Sequence, residues 1–329
     1  MKKIIPTFLL LSCSTIGSAA SICSTDSSTY SNLEYIYKAG KIRVFYSTNP
    51  SSPDNLPIKT DINNNSIPDY VENVALQANT AADVFTHIGF VHPLESTRYK
   101  NVVNYIDIHL VNQDGGVAYE IPAKMPNRPD TENKCSLKMV ISNRLDSFPG
   151  EYWSLVSHEL FHLYQYGYSQ FKRGWYGEAT ANWAERSIRS GGHKPVIAPN
   201  LLPATQEELK TKVYDVHYNG LWSRIAELYE KNNGVMGLPS SLLNRKYTDG
   251  SKVIKDDSLS AYIFMAKFMD NLRLKSEQIS YQNNWDPYAW GTNKTLESNN
   301  PIILKVIQDT MYQSGMNKTE EEKAFLNLK

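Results

Sequence analysis

The stretch over residues 154–168, SLVSHELFHLYQYGY, sets the tightest limit on what this chain can fold into. Its apolar and aromatic residues recur at helical spacing, which predicts a helix over residues 151–168. A helix so apolar belongs in a core, yet it carries His158, Glu159, His162 and Gln165. Polar groups taken out of water need partners, so the fold must be built around whatever satisfies them. Residues four apart on a helix lie one turn apart on one face. Both imidazoles can then reach a single Zn2+ at roughly 2.0–2.1 Å. Glu159 stands beside the first of them, where it can hold an attacking water and take its proton.

A third ligand lies downstream. Residues 174–185 read GWYGEATANWAE and belong to a second predicted helix over residues 175–189. Glu178 follows His162 at a distance that allows a turn and a returning helix. Two histidines and one carboxylate leave a fourth position open, as catalytic zinc sites do. Asn182 is one turn beyond Glu178 and is placed to hydrogen-bond the far ring nitrogen of His158. Glu185, on the same face, is the alternative ligand.

Charge and cysteine usage narrow the setting. Lys plus Arg and Asp plus Glu are 34 each, giving a net charge of zero. A nucleic-acid partner calls for a basic excess that this chain lacks. Lys2, Lys3 and the short apolar run over residues 4–16 read as an export signal, with cleavage expected after Ala20. No later segment is apolar enough to span a membrane. The expected location is therefore secreted or periplasmic. Cys13, after Leu10-Leu11-Ser12, offers a lipoprotein site as the alternative. Cleavage after Ala20 leaves Cys23 and Cys135, which are expected to pair in an oxidising compartment.

The expected fold class is α+β, with a small twisted sheet and the motif helix in front and a mainly helical back half. Residues 41–47 (KIRVFYS), 104–112 (NYIDIHLVN) and 138–143 (KMVISN) read as strands. Gly115-Gly116 reads as a break. A helix is expected over residues 69–87, where Val71, Val74, Ala78, Ala82 and Phe85 share a face. Further helices are expected over residues 218–231, 258–274, 300–314 and 320–328. The domain organisation is a signal peptide over 1–20, a catalytic region over 21–190 and a helical region over 191–329.

The twelve residues 61–72 match a calcium-loop pattern. Asp61, Asn63, Asn65, Asp69 and Glu72 supply oxygens at positions 1, 3, 5, 9 and 12, and Ile67 supplies a backbone carbonyl at position 7. Ser66 stands where glycine normally makes the sharp turn. A helix follows at once, so a Ca2+ ion here is expected to brace the fold.

HELFH followed by WYGEATANWAE resembles the gluzincins, the thermolysin-type and aminopeptidase-type zinc peptidases. The three motifs together resemble those of a bacterial family of secreted metalloproteases. Those proteins join a D-x-N-x-N-x-x-P-D-Y-V-E stretch, an HExxHxxQ helix and a W-x-x-E-A-x-A-x-W-x-E helix. Here these fall at residues 61–72, 158–165 and 175–185. The resemblance covers about residues 42–190 and is weak beyond them. It implies a zincin fold whose sheet has an edge strand that aligns a peptide above the motif helix, with residues 104–112 as the candidate strand. It also implies a Tyr or His that stabilises the oxyanion. Tyr262 is the first candidate, followed by His217 and Tyr218. Gln165, one turn past His162 on a similar face, is either a substrate contact or an ordinary polar surface residue. The expected function is that of a zinc endopeptidase acting on peptides or proteins. The alternatives are a non-catalytic surface-binding protein that holds calcium and zinc, and a zinc hydrolase of other substrates.

Overall fold

The alternating segment YIDIHLV becomes the centre of a six-stranded sheet rather than its edge. The computed structural model describes residues 23–26, 32–145, 148–150, 154–192, 194, 201–230 and 233–329. The expected signal peptide and Cys13 lie outside the described residues. The strands are β1 (Ser24–Thr25), β2 (Tyr35–Ala39), β3 (Ile42–Tyr46), β4 (Tyr105–Val111), β5 (Gly116–Lys124) and β6 (Ser136–Ser142). Their order across the sheet is β1-β5-β6-β4-β3-β2. Strands β3, β4 and β6 run parallel, and β2 and β5 run antiparallel to their neighbours β3 and β6. Gly40, at φ +64°, closes the β2–β3 hairpin.

One expectation needs correction here. Strand β4 is flanked by β3 and β6, so it cannot offer an edge to a substrate. The sheet ends on β2 at one side and, short of the β1 pairing, on β5 at the other; β5 begins at Gly116, after the break expected at Gly115-Gly116. Strand β1 covers only its last residues, pairing at Ala123 and Lys124.

Period-2 alternation explains the two faces of the sheet. Ile42, Val44, Ile106, Ile108, Leu110, Leu137, Met139 and Ile141 join the main core, which extends through the helices to Phe325. The intervening positions face the other way. There Phe45, Val111 and Val140 pack with Leu33 and Met125 in a smaller cluster. That second face also buries Arg43, paired in register with Asp107. Its Nε and Nη2 donate to the two carboxylate oxygens at 2.6 and 2.7 Å, and Ser136 donates to the same carboxylate at 2.6 Å. Cys23 and Cys135 are bonded, with Cα atoms 6.0 Å apart. Closing a loop of this length stabilises the fold by roughly 4–5 kcal/mol in the chain-entropy model.

Helices α1 (Asp69–His87), α2 (Leu155–Tyr168) and α3 (Gly174–Ala184) lie close to their expected positions. The first two line the main core face of the sheet, and α3 packs on α2. Helix α3 tightens into a 3-10 turn over Glu185–Ile188. The back half contributes helices at Leu221–Tyr229, Tyr262–Asn283, Asn300–Gln313 and Glu320–Leu326. No helix among the described residues is long and apolar enough to cross a membrane.

The buried Arg43–Asp107 pair is expected to be costly to break from one side. Asp107→Ala should lower the unfolding free energy by about 3–5 kcal/mol, because Arg43 stays buried without a counter-charge. Denaturant unfolding measures this, and a loss below about 1 kcal/mol would refute the reasoning.

Candidate metal centre

Helix α2 is buried on nearly every side, so its two histidines cannot be left to water. They turn their Nε2 atoms toward one oxygen of Glu178, at 3.3 Å from His158 and 3.5 Å from His162. His158, His162 and Glu178 are the trio among the described residues whose ligand atoms converge within 4.8 Å. Those spacings fit a first-row divalent cation. Ligands about 2.05 Å from a tetrahedral ion stand roughly 3.3 Å from one another. The histidine side chains are 10% and 9% exposed, whereas that of Glu178 is 36% exposed. The open side of the trio therefore lies toward Glu178 and solvent.

Electrostatics binds the trio further. Burial works against a charged His158, but Glu178 and Glu185 outweigh it and carry its pKa up to about 10. Contacts with His158 and His162 hold Glu178 well below the usual carboxylate range. Both shifts favour a charged His158 facing an ionised Glu178, so a cation bound here would compete with a proton.

Outer partners orient both rings. His162 Nδ1 donates to Gln165 Oε1 at 2.8 Å, and Gln165 Nε2 donates to the Gly177 carbonyl at 2.8 Å and to Thr180 Oγ1 at 2.7 Å. With Nδ1 as the donor, the lone pair of His162 Nε2 is left for a metal. Gln165 is thus a buried positioning residue behind His162, neither of the two roles, substrate contact or surface polar residue, that its place in the motif left open. The far nitrogen of His158 faces Glu185 Oε2 at 3.6 Å. The sequence reading assigned that role to Asn182, and this is a correction. Asn182 lines a separate cavity with Trp183, Tyr218 and Trp222, where its buried Nδ2 has no hydrogen-bond partner among the described residues. Glu185 serves behind the ring rather than as a ligand, and Arg189 anchors its other oxygen at 2.5 Å.

Glu159 is buried, and burial pushes its pKa up, with His162 and His158 only partly opposing the shift. A carboxyl raised toward neutrality is suited to general base work. It lies directly beneath β5. A Cβ on Gly116 would come within 2.7 Å of Glu159 Cγ and 2.9 Å of its Oε1. Gly116 therefore serves by having no side chain, a requirement that the sequence reading missed. Tyr166 was missed too. Its ring stacks on His162 with centroids 6.2 Å apart, and it lines the same small pocket as His162 and Glu178.

The oxyanion candidates separate in space. Tyr262 donates to the Val235 carbonyl at 3.4 Å and lines a cavity with Glu230, Met316 and Glu322, away from the trio. Tyr218 lines the Asn182 cavity. The His217 ring lies over Gly174, one helical turn before Glu178. First-choice Tyr262 is therefore a correction.

Loop 61–72 gathers much of its expected set. Asn63 and Asn65 donate amide hydrogens to the two oxygens of Glu72, at 2.9 and 2.8 Å. Asp61 accepts from the backbone of Asn65 and Ser66, at 3.1 and 2.8 Å. Ser66 takes φ +70° at the glycine position. Asp69 turns away to accept from the Ile62 backbone at 3.1 Å, and the Ile67 amide donates to Asn65 at 2.9 Å.

Comparison with protein-family models, with curated proteins and with solved structures finds no match to this chain.

Partners that orient a ligating histidine tune metal affinity. Gln165→Ala is expected to weaken Zn2+ binding by roughly 10–100-fold, measured by competition with a chromophoric chelator. An unchanged affinity would show that the contact with His162 is incidental.

Proposed function

We propose that this protein is a secreted zinc-dependent peptidase of the gluzincin type. The single observation that carries the reading is the convergence of His158 Nε2 and His162 Nε2 on Glu178 Oε2 at tetrahedral spacing. Zinc fits this donor set of two imidazoles and a carboxylate. His158, His162 and Glu178 would hold it, and once bound it would supply a Lewis acid beside the scissile carbonyl.

The chain's own residues do the rest. Glu159 takes a proton from the attacking water and returns it to the departing amine, which its raised pKa favours. The edge of β5 over residues 116–122 faces no strand among the described residues. An extended peptide can add to such an edge through backbone hydrogen bonds. Gly116 keeps that edge close to Glu159. A free edge above the motif helix supports the zincin reading. His217 is the donor we assign to the developing oxyanion, on the strength of its position over Gly174. Export is supported by the residues 1–20 as a sequence and by the Cys23–Cys135 bond. Loop 61–72 is assigned a structural Ca2+, supported by the Asn63, Asn65 and Glu72 cluster and by the conformation of Ser66.

Two outcomes test these assignments. Glu159→Gln should retain zinc while cleaving a peptide library roughly 10²–10⁴-fold more slowly, and parental turnover in that variant sinks the mechanism. Calcium at about 100 times its Kd should add about 2.7 kcal/mol of stability. A thermal melt with Ca2+ or with chelator reads this gain, and Glu72→Gln should abolish it. Identical melts with and without Ca2+ remove the calcium assignment.

A further inference from the structure

Beside the trio, the wall of the small pocket carries more positive charge than it neutralises. The pocket, about 150 Å³, is lined by His162, Glu178, Tyr166, Lys172 and Arg173. Behind it a single carboxylate, Glu120 on β5, gathers three cations. Lys294 donates to its Oε1, Lys172 lies 3.3 Å from the same oxygen, and Arg98 lies 3.5 Å from Oε2. Glu120 and Arg98 have side chains only 8% and 4% exposed, whereas Lys172 and Lys294 are 27% and 24% exposed. Lys172 and Lys294 therefore keep partly exposed side chains and share a single carboxylate oxygen between them. Arg98 is otherwise held by the neutral carbonyls of Tyr166 and Tyr288, at 2.8 and 2.9 Å. Glu178, across the pocket, is committed to the histidines.

Lys172 links this cluster to the trio. Its Nζ lies 4.1 Å above the Tyr166 ring, and that ring stacks on His162. An ammonium has three donor hydrogens, and the Glu120 carboxylate and one aromatic face leave capacity for a further acceptor. Burial outweighs Glu120 and, together with Lys294 and Arg98, holds Lys172 below the usual lysine range. Uncompensated charge in a low-dielectric cleft raises the local concentration of its opposite. An incoming carboxylate would restore the balance.

We propose that Lys172 and Lys294 form a carboxylate-binding subsite next to the metal centre, selecting peptides with an acidic group beside the bond that is cut. The inference rests on the peptidase reading. Its shared chemistry is a carboxylate, supplied by an Asp or Glu side chain or by a free C-terminus.

The test uses full-length mature protein carrying Glu159→Gln and loaded with zinc, with peptide binding followed by calorimetry. One peptide pair differs only as Glu against Gln, and a second only as free acid against C-terminal amide. At least one carboxylate peptide is expected to bind ten-fold or more tighter than its neutral counterpart, with the advantage shrinking as salt rises. The pair that discriminates identifies the source. Lys172→Met should abolish the difference, and Lys172→Arg should restore it while both variants melt like the parent. Equal binding within both pairs, no binding at all, or discrimination that survives Lys172→Met overturns the proposal. Wild-type protein that cleaves these peptides without carboxylate preference leaves the peptidase standing and removes the subsite. Discriminating binding with no cleavage by wild type keeps the subsite and removes the peptidase.

Discussion

Several buried polar side chains of α2 find partners on other elements, and those elements are held where they can supply them. Glu178 meets the two imidazoles, which fixes α3 against α2. Gln165 reaches from behind His162 to the Gly177 carbonyl and Thr180, so one side chain sets both a ring and the spacing of two helices. Glu159 occupies the space left by Gly116, which sets how closely β5 approaches. Arg98 binds the carbonyl of Tyr166, tying the end of α2 to the cluster around Glu120. Desolvation makes each of these contacts obligatory. The same contacts that define the candidate site therefore hold the layers together.

This coupling explains which parts of the molecule could be read from the sequence. Helices α1 and α2 were legible because periodicity is a local property, and four-residue spacing alone turns two histidines to one side. Strand β4 was legible as a strand, since Ile106, Ile108 and Leu110 alternate, but its neighbours are contributed from afar. Strand β5 was not legible, because its pattern is inverted. Val117, Tyr119 and Ile121 are its exposed residues, while Ala118 and Glu120 point inward. Glu120 can do so only because Arg98, Lys172 and Lys294 converge on it from three distant segments. Alternation rules assume that the apolar side is the buried side, and here long-range charge reverses it.

The misplaced partners have similarly specific causes. Asn182, one turn past Glu178, lines the cavity with Trp183 and Trp222, while Glu185, two turns past Glu178, reaches within 3.6 Å of the far nitrogen of His158. Helical spacing puts both on the Glu178 side of α3 and does not choose between them. Tyr262 follows Ala261, which takes φ +60° immediately before its helix. No periodicity in the sequence indicates where such a turn will aim the helix that follows.

Loop 61–72 stands far from the trio in sequence but not in mechanical terms. It leads directly into α1, whose Phe85 packs edge-on against Phe161 of α2 at 5.2 Å and against Tyr164 at 5.3 Å. Tyr164 also donates to the Ala82 carbonyl at 3.1 Å. Phe161 lies between the two histidine positions of α2, so the seating of α1 bears on the helix that carries both imidazoles. Asn64 and Ser66 both occupy the left-handed region, at a cost of roughly 1–2 kcal/mol per residue. The Asp61 carboxylate offsets part of that cost by accepting from the Asn65 and Ser66 amides. A short turn of unstrained residues could start a helix without it. Holding strain where a carboxylate and two amides are drawn together makes sense for a segment that sets how rigidly α1, and through it α2, is held.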